Sequence, residues 1–181
     1  MSLPLLPGRT CGGCVECCRV IPLDLPELAK PTGQLCAYCV NDAGCSVHEV
    51  RPQTCRIWFC LWRAVELSDD WRPDRSGVIV RPDGVEDGVI TLYVVRPSDF
   101  LGSMDFFATV AGWIAEGVEV ALSIPGPVGT YPARAVVTGW LRPAVEDADP
   151  ADFLARTLRA LDRLGEHDFQ PDGFETRYAV V

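Results

Sequence analysis

The last 121 residues of this 181-residue chain contain no cysteine, although nine cysteines stand between positions 11 and 60. Cysteine used as a small core residue would appear throughout a folded chain, so the clustering asks for a shared chemical cause. Lysine is almost missing as well: Lys30 is the single lysine among sixteen basic residues. No apolar stretch approaches the roughly 18 residues of a membrane span, which excludes a transmembrane helix. Residues 1–10, Met-Ser-Leu-Pro-Leu-Leu-Pro-Gly-Arg-Thr, are too short and proline-broken for the apolar part of a signal peptide. The expected location is therefore cytoplasmic, where thiols stay reduced. No Gly-x-Ser-x-Gly elbow, P-loop or dinucleotide fingerprint occurs. Gly126-Pro-Val-Gly129 lacks the lysine of a phosphate loop and reads as a turn.

Charge is also lopsided. The net charge is -9, yet residues 1–65 carry six basic and five acidic side chains, so the remainder holds ten basic and twenty acidic groups. An acidic body is unsuited to nucleic acid, whose binding depends on neutralising phosphates. Its simplest role is solubility, with an unidentified protein partner or a small molecule as its possible ligand. Apolar residues at 48% and charged residues at 23% fit a globular protein, not a disordered one.

Disulfides, metal binding and catalytic thiol chemistry are the three explanations for clustered cysteines. Disulfides suit small secreted domains, but the count is odd and the neighbours Cys17 and Cys18 would make a strained bridge. Metal fits the local spacing better. Cys11-Gly-Gly-Cys14-Val-Glu-Cys17-Cys18 reads C-x2-C-x2-C-C. Its first three thiols have the spacing of the ferredoxin run, whose fourth ligand can come from elsewhere. The same thiolates suit tetrahedral zinc. Cys36-Ala-Tyr-Cys39, Cys45, Cys55 and Cys60 form a second group. His48 lies inside it and is either a ligand through a neutral imidazole or a packing and hydrogen-bonding neighbour. Arg19, Arg51 and Arg56 can offset thiolate charge or form ordinary surface ion pairs.

The C-x2-C-x2-C-C run, followed by His48-Glu-x-Arg51-Pro52-x2-Cys55-Arg56, resembles the YkgJ-like cysteine-cluster family, described as a zinc- or iron-chelating domain. The resemblance covers about 50 residues, under a third of the chain. It implies eight metal-ligating positions: Cys11, Cys14, Cys17, Cys18, Cys36, Cys45, Cys55 and Cys60. Cys39 falls where that family usually has an apolar residue, and His48 where it commonly has an aromatic one, so these two are the additional candidates. A flagellin lysine methylase is similar in its cysteine signature, but this sequence has no Gly-rich strand-to-helix loop of the kind that binds adenosylmethionine.

After the cysteines, residues 56–67 read as a helix with Trp58 and Trp62 on one face, and 68–75 as a polar linker. Strands are expected over 76–80, 89–95, 118–124 and 133–141, with turns at Pro82-Asp-Gly84, Asp87-Gly88 and Pro125-Gly-Pro127. A helix starting near Ser98 or Ser103 should run to Glu116 with Met104, Phe107, Val110, Ala111 and Ile114 as its apolar stripe. A last helix should follow Asp149-Pro150, with Leu154, Leu158, Leu161 and Leu164 inward. His167 reads as an exposed residue beyond it. The expected fold class is α+β: a cysteine-rich metal-binding module over 1–67, then an acidic body over 68–181 with a mostly antiparallel sheet and two helices.

Three functions suit this reading. The first is a metal protein without catalysis. The second is a redox or modifying enzyme built on an iron-sulfur (4Fe-4S) cluster, distantly related to flagellin lysine methylase. The third is a thiol- or metal-responsive sensor using surplus thiols such as Cys39. The cofactor is an iron-sulfur cluster or zinc, with the cluster ahead because eight thiols exceed what one zinc requires.

Overall fold

The computed structural model describes residues 4–25, 28–40, 43–81 and 88–173. The cysteine-bearing segment builds only short elements. Helix α1 (Glu16–Val20) precedes two antiparallel pairs, β1 (Leu23–Leu25) with β2 (Leu28–Lys30) and β3 (Cys39–Val40) with β4 (Gly44–Cys45). Helix α2 (Gln53–Ile57) closes the segment.

The body is organised by one four-stranded sheet, ordered β5 (Val78–Arg81), β6 (Val89–Val94), β7 (Glu119–Ile124) and β8 (Ala133–Val136). Helices α3 (Pro73–Ser76), α4 (Met104–Ala115), α5 (Thr138–Glu146) and α6 (Pro150–Gly165) complete it. The chain is thus α+β, and two of the three strand pairings are antiparallel. The central pair, β6 with β7, is parallel, because α4 lies between them as the crossover that parallel neighbours require. The turn expected at 82–87 lies outside the described residues. No helix among the described residues is long and apolar enough to cross a membrane.

Strands β5 and β6 are buried on both faces, and their side chains alternate between two cores as strand geometry dictates. Val78, Val80, Leu92 and Val94 join Phe106, Val110, Ile114, Leu141 and Phe153 in the helix-covered core. Ile79 and Tyr93 point the other way, onto Val20, Ile21, Trp58 and Cys60 of the cysteine segment. That second contact seats the cysteine segment on the sheet.

Caps set the helix ends. Ser103 Oγ accepts the Phe106 N–H at 3.1 Å and starts α4, while Ser98 Oγ caps a preceding 3-10 turn. Asp149 Oδ1 accepts from Ala151 and Asp152 N–H, and Pro150 fits the first turn of α6. The inward faces differ from expectation in detail. Met104 and Leu158 are exposed, and Phe106, Phe153 and Thr157 take the buried places.

Three expectations are corrected. Residues 56–67 are not one helix: α2 ends at Ile57, Trp58 and Cys60 are extended, and a 3-10 turn spans Leu61–Arg63. The Arg9 guanidinium donates to the Trp62, Val65 and Leu67 carbonyls and stacks on the Trp62 ring, fixing the chain in this irregular path. Residues 68–75 are not a bare linker, since Trp71 is fully buried against Phe100, Phe106 and Trp113 with centroid distances of 5.0–5.7 Å. The core also runs through Leu61, Trp62 and Leu67 without a break at 67. The strand expected over 133–141 stops at Val136, because the Thr138 hydroxyl accepts the Val120 N–H at 2.7 Å. That bond ends the ladder, and α5 begins with Thr138, Leu141 and Ala144 inward.

Replacing Trp71 with Ala is expected to cost about 3–5 kcal/mol through the cavity it leaves. A denaturation midpoint within error of the wild type would refute its place in the core.

Candidate metal centre

The cysteine loops are shaped by glycine and by side-chain clamps on the backbone. Gly12 has φ +53 in the tight turn between Cys11 and Cys14, closed by a Cys14 N–H to Cys11 carbonyl bond of 3.0 Å. Gly44 has φ +84, and a Cβ there would sit 2.3 Å from the Gly12 carbonyl oxygen. The β4 backbone and the first cysteine loop therefore approach as closely as only glycine permits. Cys17 and Cys18 ride on α1, whose Glu16 carboxylate pairs with Arg96; the same guanidinium donates to the Asp74 and Pro73 carbonyls. The Cys36 N–H donates to the Cys18 carbonyl at 3.1 Å and joins the second group to the first.

Arg51 and Arg56 fold the Arg-Pro-x2-Cys-Arg element onto itself. Arg51 donates to the Cys55 and His48 carbonyls, and Arg56 donates to the Arg51 carbonyl. Neither Arg19 nor Arg56 lines the cavity described next, whereas Arg51, Arg63 and Arg72 do. Arg63 donates to Cys11 Sγ at 3.8 Å, and Arg72 to the Cys11 carbonyl at 3.1 Å.

All eight cysteines Cys11, Cys14, Cys17, Cys18, Cys36, Cys45, Cys55 and Cys60 line one cavity of about 120 Å3, together with His48. Cys39 does not line it, although its thiol lies beside that of Cys18. All nine thiols are free. Trp58, Phe59 and Trp62 contribute aromatic wall.

Electrostatic influence among the thiols divides them into two neighbourhoods. Cys11 acts on Cys14, and both act on Cys60, whereas Cys18 and Cys36 act on Cys39 and Cys55, as does Cys45, and Cys17 acts on Cys18. Burial pushes Cys14 and Cys60 up to about 12, with the Asp74 carboxylate adding to Cys14. Cys18 is raised by its hydrogen bond with Cys17, and then by burial; Cys39 and Cys55 are raised mainly by burial. At neutral pH these thiols hold their protons, which a cation would have to displace. His48 is held neutral, first by burial and then by Arg51 and Arg63. Its buried Nε2 finds no hydrogen-bond partner among the described residues.

Donor chemistry fits a thiophilic metal, but the geometry is open. Cys17 and Cys18 Sγ are 4.0 Å apart, near the roughly 3.8 Å edge of a zinc tetrahedron with 2.3 Å bonds. Among the described residues, however, no three His, Cys, Asp or Glu side chains converge tightly enough to hold one ion.

Lys30 and Arg72 also line the cavity, and sequence reasoning missed both. The sole lysine, set in an apolar strand, was the available signal for Lys30; nothing local marked Arg72. His167 is exposed, and the loop at 126–129 is packed tightly enough that a Cβ on Gly126 would meet Phe169 at 2.3 Å. In comparisons with family models, with curated proteins and with solved structures, nothing matches this chain. The resemblance to the YkgJ-like cysteine-cluster family therefore rests on the motif.

Gly44→Ala is expected to destabilise the fold by more than the about 1–3 kcal/mol of a strained backbone alone, because of the Gly12 carbonyl. Gly88→Ala, also at positive φ but with open space around it, supplies the comparison in urea melts. Equal costs at the two positions would show that the close approach is unimportant.

Proposed function

We propose that this chain is a metal-binding protein whose N-terminal cysteines carry an iron-sulfur cluster, with zinc the other metal suited to the same donors. One observation supports the reading above all others: the eight cysteines that the family resemblance implies line one cavity, and Cys39 lies outside its wall. A lone zinc needs four donors gathered about one point, and the described donors are spread instead. Thiols distributed around a cavity walled by Ile21, Leu23, Leu28 and Phe59 suit a polynuclear core, which takes four cysteines per cluster and is tuned by a dry surround. When bound, such a cluster supplies electron-transfer capacity.

The chain's own residues would then act in defined ways. Cys11, Cys14, Cys17, Cys18, Cys36, Cys45, Cys55 and Cys60 serve as ligands, and the neutral His48 imidazole is a further donor at the same wall. Trp58 and Phe59 exclude water. Arg63 offsets the charge of Cys11. We assign the protein to the cytosol, where reducing conditions keep the thiols available, and the acidic body to an unidentified protein partner or small ligand. A thiol-based sensor is the second reading, favoured by the contact of the off-cavity Cys39 with Cys18.

Cys14→Ser is expected to lose its metal, since serine is a poor ligand for iron and zinc, whereas Cys39→Ser keeps wild-type content by elemental analysis. Complete metal loss in Cys39→Ser would overturn the ligand set.

A further inference from the structure

Lys30, the only lysine of the chain, has 2% of its surface exposed. Its Nζ donates to three carbonyl oxygens, those of Arg19 at 3.1 Å, Ile21, and Pro31 at 3.4 Å. Three acceptors match the three protons of an ammonium, so the group is held as a cation. Two of those carbonyls belong to the last turn of α1 and the residue after it, an end of a helix where positive charge is favoured.

Lys30 lines the same cavity as Cys17, Cys18 and Cys36. Burial lowers its pKa, and Cys36, Cys18, Cys39 and Cys17, in that order, oppose the change when ionised. The other cations of the cavity serve other places. Arg63 and Arg72 are engaged at Cys11, and Arg51 holds the Cys55 and His48 carbonyls. Among the cations lining the cavity, Lys30 is thus the one whose ammonium is fixed beside the helix that carries Cys17 and Cys18.

We propose that Lys30 is the counter-charge of the Cys17, Cys18 and Cys36 side of the cavity, a positioning residue that favours binding of a metal by thiolates there. The proposal rests on the metal-binding reading above. Four thiolates around a divalent cation leave a net charge of about -2, and the ammonium offsets part of it without being a ligand. In the iron-sulfur form, the same charge favours the reduced over the oxidised state.

The test uses the full chain, with Lys30→Gln, which keeps hydrogen-bond donors but no charge, beside Lys30→Arg, which keeps the charge. Zn2+ alone is the probe, titrated against a chelator. Lys30→Gln should bind about 10- to 100-fold more weakly, the range typical of residues that support ligands, while Lys30→Arg stays near wild type. In iron-reconstituted protein, the midpoint potential should become more negative in Lys30→Gln alone, a shift that a purely structural lysine would not produce. If Lys30→Gln fails to fold, Lys30→Met replaces it, retaining the aliphatic stem. Equal affinities in the neutral and charged variants overturn the proposal. A wild-type chain that takes up no metal overturns the underlying reading too, and that failure needs no substitution to be seen.

Discussion

Burial of β5 and β6 on both faces is the constraint on which the rest of the molecule depends. Helices α4, α5 and α6 cover one face of the sheet, and the cysteine segment covers the other through Val20, Ile21 and Trp58 against Ile79 and Tyr93. Strands of two or three residues cannot hold a fold by themselves. The cysteine loops are ordered because they lean on a sheet that is stable for other reasons. The Glu16–Arg96 pair and the Arg9 clamp are the polar counterparts of that contact.

The same burial governs the chemistry. Removing thiols from water stabilises their protonated form, as at Cys14 and Cys60. On the metal-binding reading proposed above, a cation would have to replace those protons, and its binding energy would add to folding energy. Positive groups stand around the same cavity: Arg63 and Arg72 by Cys11, Arg51 by Cys55, and Lys30 on the wall it shares with Cys18 and Cys36.

Much of this was legible in the sequence. The two motifs C-x2-C-x2-C-C and Arg-Pro-x2-Cys-Arg mark Cys11, Cys14, Cys17, Cys18 and Cys55 directly, while Cys36, Cys45 and Cys60 were named through the family resemblance; all eight line the cavity. Strands β5 and β6 announced themselves as runs of β-branched residues, β7 as an apolar stretch before the Pro125-Gly-Pro127 turn, and α4 and α6 through Ser103 and Asp149-Pro150. Other features needed long-range contacts. Residues 56–67 have a helical pattern, but Arg9, more than fifty positions away, takes carbonyls that a helix would use itself. Trp71 stood in a polar stretch whose burial depends on Phe100, Phe106 and Trp113. Helix α5 was hidden inside an apparent strand, and its start is set by the bond from Val120 to Thr138. The parallel β6–β7 pair was implicit in a helix between two strands. Lys30 was visible as a singular residue, but its position against the thiols follows only from the fold.

The most direct measurement is the iron, zinc and acid-labile sulfide content of full-length protein purified without oxygen, with an absorption spectrum of the same sample. The account predicts iron and sulfide in equal amounts with broad visible absorption, or failing iron, stoichiometric zinc without colour. Protein containing neither iron nor zinc, and accepting neither on reconstitution, would contradict it.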